Sequence, residues 1–327
     1  MKVLVTGGSG FIGSHVVDCL RAAGHEPRIF DLVPSPYHDP REVDIVVGDI
    51  GDRDALMTAT AGCDVIAHLA AVSDVNHVVE NPARAEAVNA RGTALILDAA
   101  RAQDVGQVVY ASTIWVYGNA CGTEPLDEDT PLALPAHMYT ATKLAGEMFC
   151  RSYSELYGLE HTILRFGIPY GPRSRPATVL AAFVERALAG HPLMVAGDGS
   201  QSRQFVYVED LAQGLVASLA PPAPNRTYNL VGEEAVSVRE IAETVRRLVA
   251  PVDILNVDSR PADLGSVRIS GARAARELHW SPTTPFAEGA RRYVDSLTRT
   301  KRRPQPATAS QTSGRAAIVF RQDPSEL

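Results

Sequence analysis

The sequence has few cysteines, no long apolar run and no excess of positive charge, and each shortage excludes a class of protein. Its four cysteines, Cys19, Cys63, Cys121 and Cys150, contain no CxxC pair, which excludes a disulfide framework and the common zinc spacings, so no metal site is predicted. A run of about eighteen apolar residues, the length that spans a membrane, does not occur. The first residues, MKVLVTGG, lack the basic and apolar regions of a signal peptide. We therefore expect a cytoplasmic protein without a membrane partner.

Positive charge is in deficit, because the chain has 31 Lys and Arg residues and 38 Asp and Glu residues, which gives a net charge of −7. This balance argues against a general nucleic-acid-binding protein, which needs an excess of cations to neutralise phosphates. If the ligand is an anionic nucleotide, its attraction must come from locally placed arginines and from helix N-termini.

Alternating strand and helix patterns fill the first half of the 327 residues, of which 45% are hydrophobic. Nearly continuous apolar strands separated by helices predict an α/β fold of the Rossmann type, with a doubly wound parallel sheet. The predicted strands are 2–6, 28–30, 44–47, 64–69, 107–111 and 161–165, and the predicted helices are 12–23, 83–101 and 137–157.

Proline and glycine interrupt this alternation after Gly167. We predict a dinucleotide-binding domain over residues 1–166 and a smaller mixed α/β substrate-binding lobe over residues 167–298, part of which returns to the sheet. Residues 299–327 are rich in Pro, Ser, Thr and basic residues, a composition that predicts a disordered tail.

A glycine-rich turn, TGGSGFIG, follows the first strand and opens the first helix. Gly7 permits the tight turn, Gly10 lets the backbone approach a pyrophosphate, and Gly13 lets the helix pack close to the strand. The amides at the helix start, including those of Phe11 and Ile12, then face the phosphates. This strand–turn–helix context predicts a dinucleotide site.

Asp31 ends the second strand, eighteen residues after Gly13. A carboxylate at this place can accept both ribose hydroxyls and would repel a 2′-phosphate, which favours NAD over NADP. We expect Asp49, after the third strand, to bind the adenine amino group and Ile50 to cover the ring.

Tyr139 and Lys143 form a YxxxK pair whose spacing puts both side chains on one face of a helix. The pair follows the segment STIWVYG (112–118) at the end of the fifth strand. Together with TGGSGFIGSH, HLAA (68–71), NARGT (89–93) and Arg165 followed by YGPR (170–173), this order resembles the extended short-chain dehydrogenase/reductase family. The closest match within it is the group of sugar-nucleotide epimerases and dehydratases, such as UDP-glucose 4-epimerase, over roughly residues 1–298.

The resemblance implies an NAD-dependent enzyme in which Tyr139 is the general base. An ordinary tyrosine is a poor base at neutral pH, and we expect the Lys143 ammonium to lower its pKa. Lys143 would also hold the nicotinamide ribose, and Thr113 would hydrogen-bond the reacting oxygen. Further cofactor contacts are implied at Leu69, Ala70, Ala71 and Asn89.

Dehydratases and decarboxylases of this group commonly carry an added acid just after the catalytic Thr. Here Ile114 and Trp115 occupy these places and cannot transfer protons. The preferred hypothesis is therefore epimerisation of a UDP-hexose or UDP-hexuronate at carbon 4, with recycled NAD. Cys121 and His137 lie close enough in sequence to keep a dehydratase, or an epimerase acting at carbon 3 or 5, open. A reductase and a catalytically inactive NAD-binding protein also stay open.

Arg203 and Arg260 stand where the family contacts the substrate's phosphates or ribose. The family often has an asparagine where this chain has Ile168, which leaves the position of the sugar or phosphate open. The family is usually dimeric through paired long helices, so we expect a homodimer through 83–101 and 137–157.

Overall fold

Seven parallel strands form the central sheet of the described part of the chain, which in this computed structural model comprises residues 1–118, 125–176, 178–220, 222–258 and 268–302. These strands are β1 (Lys2–Thr6), β2 (Glu26–Asp31), β3 (Asp44–Val47), β4 (Val65–His68), β5 (Gln107–Thr113), β6 (Glu160–Phe166) and β10 (Arg226–Leu230). Their order across the sheet is β10-β6-β5-β4-β1-β2-β3.

Helices cover both faces of this sheet, which confirms the predicted Rossmann-type fold. One face packs on α1 (Phe11–Ala22) and α8 (Val208–Ala217), and the other packs on α2 (Arg53–Thr60), α5 (Gly92–Ala102) and α6 (Met138–Tyr157). All seven residues of β5 are buried, because a central parallel strand has no solvent-facing side. The switch in strand order lies between β1 and β4, and ligands of such sheets bind at that crevice.

The single helix expected over residues 83–101 is three elements, namely α4 (Pro82–Ala85), a π-helical turn over Glu86–Arg91, and α5. A further short helix, α3 (Val75–Glu80), precedes them. Such π-turns are rare and frequently mark functional sites. Helical periodicity alone does not show the wider turn, because the residues on either side of it remain helical.

Helix α2 was not predicted from the sequence. It begins after Asp52, whose side chain accepts hydrogen bonds from the amides of Asp54 at 3.0 Å and Ala55 at 3.1 Å. An aspartate at this position is a recognised start signal, and the helix is short, at eight residues.

The later part of the chain builds a second lobe with its own core. A three-stranded sheet joins β7 (Ile168–Tyr170), β9 (Ser202–Tyr207) and β11 (Ala235–Ser237), and a two-stranded sheet joins β8 (Leu193–Ala196) to β12 (Ile254–Val257). The helices of the lobe are α7 (Val179–Leu188), α9 (Val238–Leu248) and α11 (Phe286–Arg302), whereas α10 (Ala272–Glu277) packs its Ala274 side chain into the core of the central sheet. Strand β10 leaves the lobe and pairs with β6, so residues 226–230 complete the central sheet.

Helix α11 includes residues 299–302, the first four residues of the segment expected to be a tail, and residues 303–327 lie outside the described part. Among the described residues, every helix is too short or too polar to cross a membrane.

Candidate functional site

The glycine turn forms the floor of a large cleft at the switch point of the sheet. Gly7 has a φ of +73° and its amide donates to the Phe30 carbonyl at 2.9 Å. A Cβ on Gly13 would lie 2.1 Å from the Gly7 carbonyl oxygen, and a Cβ on Gly7 would lie 2.9 Å from the Ala70 amide. Each position therefore requires glycine, and the backbone here is open to a close-fitting ligand.

Helix α1 starts at this turn without a side chain over its first amides, because its N-cap residue is Gly10. Gly10, Phe11, Ile12 and Gly13 all line the cleft. Free amides and the positive end of the helix dipole make this a suitable place for a pyrophosphate.

Asp31 lies at the end of β2, as predicted, and its side chain also lines the cleft. Its Oδ2 accepts a hydrogen bond from the Ser9 amide at 3.0 Å. This bond ties the carboxylate to the glycine turn, so that both line the same cleft.

The cleft measures about 1030 Å³ and joins the glycine turn to the predicted catalytic residues. This volume is in the range of a cofactor-sized site. The sequence-predicted residues that line it are Gly7, Gly10, Phe11, Ile12, Gly13, Asp31, Ile50, Leu69, Ala70, Ala71, Thr113, Tyr139 and Lys143. The glycine turn, the Asp31 carboxylate held by the Ser9 amide and the volume of the cleft together fit NAD.

Asp49 and Asn89 are not among the residues that line the described cleft, and their contact with the cofactor stays a prediction. Asp49 is exposed, and its Oδ1 accepts from the Gly51 amide at 2.7 Å. The buried Asn89 amide accepts from the Val72 amide at 2.7 Å, and it donates to the Val72 carbonyl at 3.0 Å and to Thr142 at 3.1 Å. Asn89 thus shapes the loop that lines the cleft and joins it to α6.

Thr113, Tyr139 and Lys143 meet at the other end of the cleft. Thr113 ends β5, and Tyr139 and Lys143 lie one turn apart at the start of α6. The Thr113 side chain lies beside the Tyr139 phenol and acts to lower its pKa, and Thr113 Oγ1 accepts from the Trp115 amide at 3.3 Å. The predicted catalytic set is therefore assembled around one pair of hydroxyls.

Burial raises the pKa of Tyr139 to about 12, opposed by the nearby positive charge of Arg175 and by the Thr113 hydrogen bond. The expected lowering by Lys143 is not seen. Lys143 Nζ instead donates to the Ala111 carbonyl at 2.8 Å, and burial lowers the pKa of Lys143 to about 8. Desolvation outweighs charge attraction here, because both groups lie out of water.

The rings of Trp115, His137 and Tyr139 pack against one another. The Trp115 ring lies 5.3 Å from His137 and 6.4 Å from Tyr139, and His137 stacks on Tyr139 at 6.3 Å between ring centres. His137 also caps α6 by accepting from the Thr140 amide at 3.4 Å. Burial lowers the pKa of His137, which favours the neutral form of this imidazole.

Arg203 stands on β9 outside the cleft lining, and its Nη1 donates to the Ser202 carbonyl at 2.7 Å. Arg260 and Cys121 lie outside the described residues. Ile168 does line the cleft. Contact of Arg203 with a substrate thus remains a prediction.

Two arginines of the cleft were missed, Arg173 and Arg175. Arg175 Nη2 donates to Ser73 Oγ at 3.1 Å, and its Nη1 lies 3.9 Å from Asp74 Oδ2. The sequence feature that could have indicated them is the pair of arginines two residues apart in YGPRSRP, where the regular alternation of strands and helices ends.

Known proteins resemble this chain over most of its length. The sequence model of the NAD dependent epimerase/dehydratase family matches residues 3–231. A UDP-glucose 4-epimerase of Mycolicibacterium smegmatis is 35% identical, covering 90% of this chain and 98% of that protein. A dTDP-glucose 4,6-dehydratase of Neisseria gonorrhoeae is 30% identical, covering 91% and 97%. The crystal structure of a Thermus thermophilus UDP-glucose 4-epimerase in complex with NAD superposes with a TM-score of 0.83 at 32% identity, covering 91% of this chain and 99% of that one.

The family model spans well over half of the 327 residues, and both relatives match along nearly their whole lengths. The match covers the glycine turn, Asp31, Thr113, Tyr139 and Lys143, the residues that the structure gathers around the cleft. The chain therefore belongs to the NAD dependent epimerase/dehydratase family and is an NAD-dependent enzyme.

Proposed function

We propose that this enzyme epimerises a nucleotide-diphosphate sugar, with UDP as the favoured nucleotide, at carbon 4 of a hexose or hexuronate. The observation that carries the proposal is the convergence of Thr113, Tyr139 and Lys143 on the cleft that also contains the glycine turn and Asp31. A hydroxyl pair next to a dinucleotide cradle suits the oxidation and re-reduction of a secondary alcohol.

Tyr139 is the proposed general base that takes the proton of the sugar's 4-hydroxyl. When bound, NAD supplies the hydride acceptor and later the donor, and its positive ring favours the phenolate. Thr113 lies beside Tyr139 and would hold the reacting oxygen of the sugar within reach of it. Arg175 adds a further charge that favours the phenolate.

Lys143 is proposed to hold the ribose of the cofactor. The proton that Tyr139 takes from the sugar returns to the same sugar oxygen when hydride is given back, so the cycle needs no proton from Lys143, whose pKa burial lowers to about 8. Its hydrogen bond to the Ala111 carbonyl fixes the ammonium below the cleft.

The residues after Thr113 favour epimerisation over dehydration. Loss of water from the sugar requires an acid that protonates the leaving hydroxyl, in addition to the base that serves oxidation. Ile114 and Trp115 offer none, and Trp115 fills part of the cleft wall beside Tyr139.

The test is to incubate the purified protein separately with UDP-glucose, UDP-galactose, UDP-glucuronate and UDP-galacturonate, and to identify products by NMR and mass. We expect interconversion of one epimer pair, protein-bound NAD and no net NADH. Tyr139→Phe should abolish turnover while NAD remains bound. Stoichiometric release of NADH, or full activity of the Phe variant, would contradict the proposal.

Dehydration is the second candidate, favoured by the 30% identity to the dTDP-glucose 4,6-dehydratase. His137, which stacks on the Tyr139 ring, is a titratable side chain that could serve it. A product lighter by one water from dTDP-glucose would select this activity. A requirement for added NADPH would select a reductase instead.

Further assignments accompany the proposal. We also propose the division at residues 166/167 into a cofactor domain and a mainly substrate-binding lobe, with residues such as Leu211 and Tyr228 of the later segment packed in the core of the central sheet. Arg203 and Arg260 are proposed to bind the nucleotide end of the substrate.

We also propose a homodimer through the 83–101 and 137–157 segments, which should sediment at twice the monomer mass. A cytoplasmic location accords with free thiols at Cys19, Cys63 and Cys150.

A further inference from the structure

Arg173 connects the second lobe to the dinucleotide-binding part of the chain. It lies between β7 and α7, and its Nη1 is 2.8 Å from Asp18 Oδ2 on helix α1. The same guanidinium lies over the Tyr37 ring, 4.5 Å from its centre. Tyr37 belongs to the loop that follows Asp31, and both Tyr37 and Arg173 line the cleft. We call this group of Arg173, Tyr37 and Asp18 the bridge.

The carboxylate of Asp18 is shared between the two sides of the bridge. While Oδ2 contacts Arg173, Oδ1 is 3.1 Å from Nε2 of His38, in the same loop as Tyr37. The other nitrogen of that ring, Nδ1, is 2.8 Å from Ser35 Oγ. The loop beside the adenosine end of the cleft is therefore held by the same helix that carries the glycine turn.

A third contact fixes the backbone beside Arg173. His15 Nε2, one turn before Asp18 on α1, is 2.9 Å from the Pro172 carbonyl oxygen. Arg173 itself has a φ of +66°, a conformation that a residue with a side chain rarely adopts. A strained residue persists where surrounding contacts hold it, and such residues cluster at ligand clamps.

We propose that this bridge closes the cleft over bound NAD and sets how slowly the cofactor leaves. A dinucleotide with its phosphates on the glycine turn and its ribose at Asp31 would lie between α1 and the second lobe, beneath the Tyr37–Arg173 contact. Release then requires the guanidinium to leave both the Asp18 carboxylate and the Tyr37 face. An enzyme that recycles its NAD within each turnover benefits from such retention. The inference rests on the proposed placement of NAD in this cleft.

The experiment measures the exchange of bound NAD for excess labelled NAD in the intact enzyme. Arg173→Gln removes both the charge pair and the stacking, and we expect exchange about tenfold faster than in the wild type. Arg173→Lys keeps the charge and should fall between the two. Tyr37→Phe keeps the aromatic face and should exchange slowly, whereas Tyr37→Ala should exchange faster.

The matched control is Arg21→Gln. Arg21 also links α1 to the loop that follows β2, through Glu42 at 2.9 Å, but it makes no contact with the second lobe among the described residues. Exchange in this variant should remain at the wild-type rate. Raised salt should speed exchange in the wild type and leave Arg173→Gln unchanged, because the ion pair is partly exposed to solvent.

Wild-type exchange rates in both Arg173→Gln and Tyr37→Ala would overturn the bridge, as would equal acceleration by Arg21→Gln. If Arg173→Gln does not fold, Tyr37→Ala tests the same contact from a half-exposed position on the loop. Failure of the bridge leaves a protein that still binds NAD and turns over sugar nucleotide. A wild-type protein that binds no NAD would instead contradict the proposed cofactor site itself.

Discussion

The ion pair between Glu147 and Arg165 offers the most direct test of how the catalytic helix is held. Arg165 Nε donates to Glu147 Oε1 at 3.0 Å and Nη2 donates to Oε2 at 2.8 Å, and both side chains are at most 1% exposed. Glu147 lies one turn after Lys143 on α6. It also accepts from Ser112, the residue before Thr113, at 2.6 Å.

The perturbation is Arg165→Met, which keeps a long side chain but removes the guanidinium. It leaves the Glu147 carboxylate buried, with Ser112 and a long contact of 3.4 Å from Arg151. It also removes the hydrogen bond of 2.9 Å that Arg165 donates to Tyr117. Breaking one partner of a buried pair costs about 3–5 kcal/mol, because the remaining charge is desolvated without compensation.

A loss of that size should lower the melting temperature by about 4–7 °C, because an unfolding entropy of about 2.1 cal/mol/K per residue over 327 residues corresponds to roughly 1.5 °C per kcal/mol. The assay is urea unfolding followed by fluorescence, together with a thermal melt. The double variant Arg165→Met with Glu147→Leu removes both charges and should recover more than half of the lost stability, because apolar replacement of a whole buried pair is often neutral.

The control is Arg291→Met on α11. This arginine pairs with Glu288 at 2.7 Å and Asp295 at 2.9 Å but is 52% exposed, so its loss should cost about 1 kcal/mol or less. If Arg165→Met is no more costly than Arg291→Met, or if the double variant is less stable than the single one, the reasoning about the buried charge is refuted.

Two further predictions concern the cleft. Gly13→Ala should abolish NAD binding, measured by calorimetry, because its Cβ would lie 2.1 Å from the Gly7 carbonyl; Gly106→Ala, with its nearest atom at 3.4 Å, should bind NAD normally. The pKa of Lys143 is about 8 in the folded protein, below its ordinary value of 10.5. Between pH 8 and 10 the unfolded state therefore binds more protons than the folded state, and the stability of the wild type should rise with pH. Lys143→Met should remove this rise. Melting temperatures that rise equally in wild type and variant would contradict this assignment.

Local residue patterns account for much of the cofactor half of the protein. The turn at Gly7, Gly10 and Gly13 needs glycine for reasons of backbone geometry, and the structure gives each a close neighbour. Asp31 at the end of the second strand, and Tyr139 with Lys143 one turn apart, follow from strand and helix spacing alone. Because these features depend on residues close in sequence, they could be predicted without a fold.

Contacts between distant parts of the chain could not be predicted in this way. Asn89 pairs with Val72, 17 residues away, and Lys143 pairs with the Ala111 carbonyl, 32 residues away, so neither contact is visible in a local pattern. The pKa of Tyr139 likewise depends on burial, which no spacing reveals.

The bridge shows the same division between local and distant information. Residue patterns were enough to predict a dinucleotide above α1 and beside Asp31. That Arg173 reaches Asp18, 155 positions earlier, and covers Tyr37 follows from the packing of the second lobe against the first helix. Charge and ring contacts depend on distances of a few ångströms between side chains, whereas sequence patterns describe residues that are close along the chain. Residues far apart in sequence come within contact distance only when the chain folds.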